Sequence, residues 1–155
     1  MSINLTQKER SLLEDQKRHE QICIEKYNAY AGQAKDSQLM RMFQTFAGQE
    51  QQHLNTVNQM LSGQVPGMSQ QSQQQPSQQN AQKSDGAGMY SQSDAAICND
   101  MLMTEKYVSG TYDTAIFEFQ DANARQALNH IQKEEQQHGE GIFNYMKSHG
   151  IYQTQ

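Results

Sequence analysis

The sequence predicts an all-α fold in which four helices pack as a bundle. Four segments of the 155-residue chain place apolar residues at the 3.6-residue period of a helix, and each begins at a residue that favours a helix N-cap. No segment shows the strict alternation of a strand. A chain of this length suits one domain, so we expect a single domain over residues 1–155.

The predicted helices are defined by the residues at their ends. Thr6 and Glu9 have the spacing of a capping box, in which a hydroxyl and a carboxylate each accept a hydrogen bond from a free backbone N–H. Gly150 suits the left-handed position that follows a helix. The expected helices run from Thr6 to about Gly32, from Asp36 to about Leu61, from Ser93 or Asp94 to about Phe119, and from Asp121 to near Gly150.

The connections between these helices predict the topology. Two connections are only a few residues long, so the segments 6–61 and 93–150 should each form an antiparallel hairpin. The middle connection, 62–92, is rich in Gln and Ser and has a flexible reach of about 30 Å. Because that reach matches the length of a bundle, we predict a ferritin-like four-helix bundle with a long crossover between helices 2 and 3.

The two hairpins repeat each other at an offset of 85 residues. The segment 49–53, QEQQH, returns as 134–138, EEQQH, with one substitution. The other matched pairs that bear on chemistry are Glu20 with Glu105, Tyr27 with Tyr112, Glu50 with Glu135 and His53 with His138. We therefore expect a duplicated hairpin with pseudo-twofold symmetry.

The repeated Glu and His residues lie on the apolar stripes of their helices, so we expect them to face the core. Four buried carboxylates cannot stay ionised without partners, and two divalent cations would balance their four negative charges. The i, i+3 spacing of Glu-x-x-His places both side chains on one helical face, as in dimetal carboxylate bundles. The predicted metal ligands are Glu20, Glu50, His53, Glu105, Glu135 and His138.

Mixed carboxylate and imidazole ligation favours two divalent metal ions, with iron preferred and manganese second; zinc can occupy such a site in a purified protein. The alternative is a relic, in which the polar residues bond to one another or to water and no metal binds. Tyr27 and Tyr112 are predicted to pack beside the site with each hydroxyl bonded to a carboxylate, and a redox role is the alternative. Gly110 and Gly139 could leave room near the metals. No catalytic residue can be assigned.

Charge and composition argue against two classes of partner. The net charge is -5 and no basic block is present, so we expect no nucleic-acid binding. The N-terminal segment has no apolar signal region and no stretch is long enough to span a bilayer, which predicts an intracellular protein with no membrane span. Cys23 and Cys98 lack C-x-x-C spacing and are expected to be reduced thiols in the core.

Four stretches cover nearly all of the chain outside the linker: LTQKERSLLEDQKRHEQICIEKYNAYA, TFAGQEQQHLNTVNQML, ICNDMLMTEKYVSGTYDTAIFEF and NARQALNHIQKEEQQHGEGIFNYM. In combination they resemble the spore coat protein F (CotF-like) family of endospore-forming bacteria. The resemblance implies a ferritin-like fold and a place in or near the spore coat. Other spore coat proteins, or further copies of the chain, are then the expected partners.

Two functions follow from these observations. The first is a spore coat-associated protein whose ferritin-like core holds a dinuclear metal site. The second is a di-iron or di-manganese oxidoreductase that acts on peroxide or oxygen, as a catalase, a peroxidase or an iron oxidase does. Open coordination positions and a path for a small oxidant would favour the enzyme, and a closed site would favour the structural role.

Overall fold

The computed structural model describes residues 1–67 and 92–152, and these residues form four α-helices with no named strand. The helices are α1 (Gln7–Gln33), α2 (Ser37–Leu61), α3 (Gln92–Glu118) and α4 (Ala122–Ser148). The predicted all-α class and all four helices are confirmed. Most of the predicted crossover lies outside the described residues. None of the helices in the described ranges combines the length and hydropathy of a membrane span.

Three of the predicted N-caps are present. Thr6 Oγ1 accepts a hydrogen bond from the N–H of Glu9 at 3.1 Å, and Glu9 Oε2 accepts one from the N–H of Thr6 at 2.7 Å, which completes the capping box. Asp36 caps α2 and Asp121 caps α4 through their carboxylates. The prediction was wrong for α3, which starts at Gln92.

The two hairpins pack so that α1 is antiparallel to α3. Near one end of the bundle, Glu9 of α1 contacts Gln120, which follows α3. At the other end, Asp94 of α3 contacts Lys35, which follows α1. The end of α2 lies beside the first turn of α1, where Arg10 Nη1 donates to Leu61 O at 3.2 Å. The structure therefore places the end of α2 and the start of α3 at opposite ends of the bundle.

Two of these contacts form a reciprocal clasp between the hairpins. The carboxylate of Asp94 accepts hydrogen bonds from the N–H groups of Lys35 and Asp36 at 2.9 and 3.0 Å, in the turn between α1 and α2. Glu9, its repeat equivalent, accepts a hydrogen bond from the N–H of Gln120 at 2.9 Å, in the turn between α3 and α4. Asp94 therefore accepts hydrogen bonds from the neighbouring hairpin instead of capping its own helix, because its side chain is buried against that turn.

The apolar core divides into two clusters, one toward each end of the bundle. One includes Leu13, Val57, Phe119, Leu128 and Ile131, and the other includes Leu39, Phe43, Met101, Ile142 and Met146. The middle of each helix contributes a buried polar side chain between them. Cys23 and Cys98 are buried and free, as predicted.

The first six residues of the predicted linker are held in the fold. The N–H of Ile3 donates to Gly63 O and the N–H of Val65 donates to Met1 O, both at 2.8 Å. Gly63 has a φ of 87°, which favours glycine, and it lets the chain turn after α2. Val65 is buried. Residues 62–67 therefore belong to the packed bundle rather than to a free linker.

Replacing Asp94 with Ala should destabilise the fold by about 1–3 kcal/mol, because two N–H groups of the α1–α2 turn lose a buried, charged acceptor. Glu140→Ala, at an exposed position of α4, is the control and should change the free energy of unfolding little. Urea denaturation of both variants measures the difference. Equal stability of the two variants would contradict the clasp.

Candidate metal centre

Four glutamates and two histidines meet in the middle of the bundle, one glutamate from each helix. None of the six side chains is more than 3% exposed. They are the six predicted metal ligands: Glu20 on α1, Glu50 and His53 on α2, Glu105 on α3, and Glu135 and His138 on α4. The structure thus brings together every residue that the repeat singled out.

The six side chains form two overlapping groups of four. Glu20, Glu50, His53 and Glu135 make one group, and Glu50, Glu105, Glu135 and His138 make the other. Within each group, one potential ligand atom from each residue lies within 4.8 Å of the others. Glu50 and Glu135 belong to both groups, so each can offer one oxygen to each of two cations. The other glutamate and the histidine of each group belong to that group alone, so they can contact only one of the two cations.

Both histidines point the same nitrogen at the carboxylates. His53 Nδ1 lies 2.9 Å from Glu135 Oε1 and 3.1 Å from Glu50 Oε2. His138 Nδ1 lies 3.0 Å from Glu50 Oε1 and 3.5 Å from Glu105 Oε1. Each imidazole therefore contacts a carboxylate from the other hairpin, and the site exists only when the two hairpins are packed together.

Each predicted tyrosine donates a hydrogen bond to a glutamate of the opposite hairpin. Tyr112 Oη donates to Glu20 Oε1 at 2.6 Å, and Tyr27 Oη donates to Glu105 Oε1. Burial raises the pKa of both phenols well above the ordinary value, and the adjacent glutamates add to this rise in pKa. Each phenol is therefore a fixed donor that orients one carboxylate and leaves the second oxygen free.

The unpartnered polar atoms support a metal at this site. Three carboxylate oxygens, Glu20 Oε2, Glu105 Oε2 and Glu135 Oε2, are buried without a hydrogen-bond partner, as is the ring nitrogen His53 Nε2. A buried oxygen with no partner costs about 1–3 kcal/mol, and all three oxygens belong to residues of the two groups. Hard oxygen donors with two imidazoles suit a divalent transition metal. The residues present therefore fit a pair of such ions.

In the metal-free protein, protons neutralise part of this charge. Burial raises the pKa of Glu20 and Glu135 well above the ordinary value, and a neighbouring glutamate adds to each rise. For Glu50, burial raises the pKa, but hydrogen bonds from its neighbours, the two histidines among them, hold it well below the ordinary value. Burial also opposes the charge on His138, yet the carboxylates around it raise its pKa to about 9. A metal must therefore displace protons to bind.

One pair of repeat positions places different residues on the outer side of the two histidines. Glu134 Oε2 lies 3.5 Å from His53 Nε2, whereas the equivalent residue, Gln49, places Oε1 2.5 Å from His138 Nε2. Glu134 also contacts His130 Nε2, which is one third exposed. On the side that faces away from the centre, His53 thus lies beside a charged carboxylate and His138 beside a neutral amide. The sequence signal for this difference was the one mismatch in the QEQQH repeat. Residue spacing alone could not show that the mismatched residues contact the two histidines.

A cavity of about 30 Å³ lies beside His53 and is lined by His130, Glu134 and Gln52 among others. This volume exceeds the ~10–15 Å³ that one water molecule needs. The cavity touches one half of the site, the half whose histidine pairs with Glu134. It is therefore the candidate route from the surface to the centre.

The predicted role of Gly110 was wrong. Gly110 is exposed on the outer face of α3, and a Cβ built there meets no atom within 4 Å. Gly139 does lie beside the centre, where an added Cβ would be 3.9 Å from Glu105 Cβ, an ordinary contact. Gly110 differs from Gly139 because of its position around the helix. It lies on the face of α3 opposite to the core-facing Glu105 and Tyr112.

One protein-family model matches the second half of the chain. Residues 93–155 match the family model described as the Coat F domain. The match includes α3 and α4, with Glu105, Glu135 and His138, but covers less than half of the chain. It supports the CotF-like spore coat family that the sequence resembles. No curated protein and no solved structure matches the chain.

The metal-free protein should lose stability as the pH rises from about 6.5 to about 9. A histidine whose pKa is higher in the folded state stabilises the fold fully below the unfolded pKa, and this stabilisation disappears as the pH passes the folded pKa. His138, with its pKa raised from 6.5 to about 9, has this property. Thermal unfolding in excess chelator across this range is the measurement. A melting temperature that rises over the same range would contradict the assignment.

Proposed function

We propose that the chain is a spore coat-associated protein whose ferritin-like core holds a dinuclear metal site, with iron favoured and manganese second. The observation that carries the proposal is the pair of four-residue groups that share Glu50 and Glu135. The Coat F domain match supports the association with the spore coat. The positions of the α2 end and the α3 start at opposite ends of the bundle support the ferritin-like connectivity.

In this proposal Glu50 and Glu135 would be shared by two cations, Glu20 and His53 would hold one, and Glu105 and His138 would hold the other. Two divalent ions supply four positive charges to four glutamates, which removes the cost of burying unpaired carboxylates. Such ions, when bound, supply Lewis acidity and, for iron or manganese, electron transfer. The tyrosines hold Glu20 and Glu105 in place, and the apolar clusters pack on both sides of the site along the bundle.

The second candidate function is an oxidoreductase that acts on peroxide or oxygen. The observation that favours it is the cavity beside His53, because a reactive metal pair needs a path for a small molecule. Glu134 and His130 line this path, and the His130 side chain is one third exposed to solvent. The cavity admits water-sized molecules, so peroxide and oxygen are the substrate class that fits.

The protein purified from cells grown with iron and manganese should contain about two metal ions per chain. A Glu50→Gln/Glu135→Gln variant keeps the side-chain shape but loses both bridging carboxylates, so its metal content should fall to near zero. Glu25→Gln/Glu140→Gln, at two exposed positions, is the matched control and should keep both ions. Elemental mass spectrometry measures the metal, and circular dichroism checks the fold. A folded wild type without stoichiometric metal would refute the proposal.

The His53 position should bind a divalent ion about tenfold more tightly than the His138 position, because the negative charge of Glu134, 3.5 Å from His53 Nε2, raises the basicity of that histidine, whereas His138 Nε2 faces a neutral amide. Titration calorimetry with Mn²⁺ should then show two steps. Glu134→Gln should make the two steps more alike, and Gln49→Glu, the repeat-equivalent change, should tighten the weaker one. Two equal steps in the wild type would disprove the difference while leaving the total of two ions intact.

Peroxide consumption tests the second function. The metal-loaded protein should consume peroxide catalytically, and the Glu50→Gln/Glu135→Gln variant should lose this activity together with its metal. A loaded protein with two ions and no turnover above free metal would exclude this activity. The structural role would then stand alone.

A further inference from the structure

The outer face of α3 carries an exposed apolar stripe. Met103 is 65% exposed, Tyr107 is 64% exposed and Phe117 is 79% exposed. With Gly110 and Thr114 between them, these residues follow spacings of four, three, four and three. That alternation is the seam pattern of a coiled coil, and it runs for about 21 Å along the helix. Large exposed apolar side chains in a line indicate an interaction surface.

The stripe is nearly symmetric about Gly110. Met103 and Phe117 lie seven residues to either side of Gly110, and Tyr107 and Thr114 lie three and four residues away. A second copy of α3, packed antiparallel, would therefore place each Met103 against the Phe117 of the other copy. The open space above Gly110 lets the two helices come close at the axis.

The charges beside the stripe suit the same arrangement. Lys106 and Asp113 are exposed on one flank of the stripe, seven residues apart. Neither makes an ion pair among the described residues. In an antiparallel pair centred at Gly110, each Lys106 approaches the Asp113 of the other copy, and the symmetry produces this contact twice.

We propose that the outer face of α3 is the interface between two copies of this chain, related by a twofold axis at Gly110. The stripe lies on the opposite side of α3 from Glu105, so the interface does not depend on the metal centre. Such an interface gives the chain a surface for self-assembly that the proposed metal site does not supply.

A cysteine at the axis is the sharpest test. Gly110→Cys places a thiol on an exposed surface with no atom within 4 Å of its Cβ, and two copies would bring these thiols together. The native Cys23 and Cys98 are buried and should not cross-link. Mild oxidation should convert most of this variant to a disulfide-linked dimer. Gln136→Cys, at an exposed position of α4, is the control and should remain monomeric on a denaturing gel.

Charge reversal tests the register and leaves the stripe intact. Lys106→Glu and Asp113→Lys each create two like-charge contacts, so each single variant should raise the dimer dissociation constant about tenfold. The double variant restores opposite charges and should recover wild-type affinity. Lys133→Glu, an exposed reversal on α4, should have no effect. Sedimentation equilibrium against the chain mass of 17.7 kDa reports the dimer.

Three results would overturn the interface. The first is a wild type that is monomeric at about 100 μM, which would assign the stripe to another partner. The others are a Gly110→Cys variant that cross-links no more than the control, and a Lys106→Glu/Asp113→Lys variant that dimerises as weakly as the single variants. The metal content of each variant should stay at the wild-type value in every case. A loss of metal with intact dimerisation would instead concern the proposed function.

Discussion

The burial of four carboxylates at one level of the bundle is the constraint on which the rest of the structure depends. Glu20, Glu50, Glu105 and Glu135 are each at most 1% exposed. Isolated buried charges would cost far more than a domain can spare. The histidine contacts, the tyrosine hydrogen bonds and the two apolar clusters can all be understood as the surroundings that hold these carboxylates close together. Cations or protons complete the neutralisation.

The polar contacts that define the fold join the two hairpins to each other. The clasps at Glu9 and Asp94, the tyrosine bonds to Glu105 and Glu20, and the histidine contacts to Glu135 and Glu50 all cross between the hairpins. A single hairpin would leave its own acceptors and donors without these partners. Fold and site are therefore coupled, since packing the hairpins is the event that builds the site.

The sequence was sufficient to predict the four helices, the repeat and the six residues at the centre, because helical periodicity and an internal offset of 85 residues are readable from one chain. It was not sufficient for features that depend on which helices are neighbours. Asp94 looked like a cap for its own helix but accepts hydrogen bonds from the neighbouring turn. Glu134 differs from Gln49 by one substitution, and its position behind His53 depends on the packing of α2 on α4. The position of Gly110 was misjudged for a different reason, because a residue five places after Glu105 falls on nearly the opposite face of a helix, and this was readable from the sequence.

The central claim is that Glu50 and Glu135 are shared by two metal ions inside the bundle. Anomalous diffraction from crystals grown with Mn²⁺, collected on both sides of the manganese edge, tests it most directly. The account predicts two anomalous peaks per chain, one beside His53 and one beside His138, with both bridging glutamates between them. A centre with no anomalous peak, or manganese bound only at surface carboxylates, would contradict it.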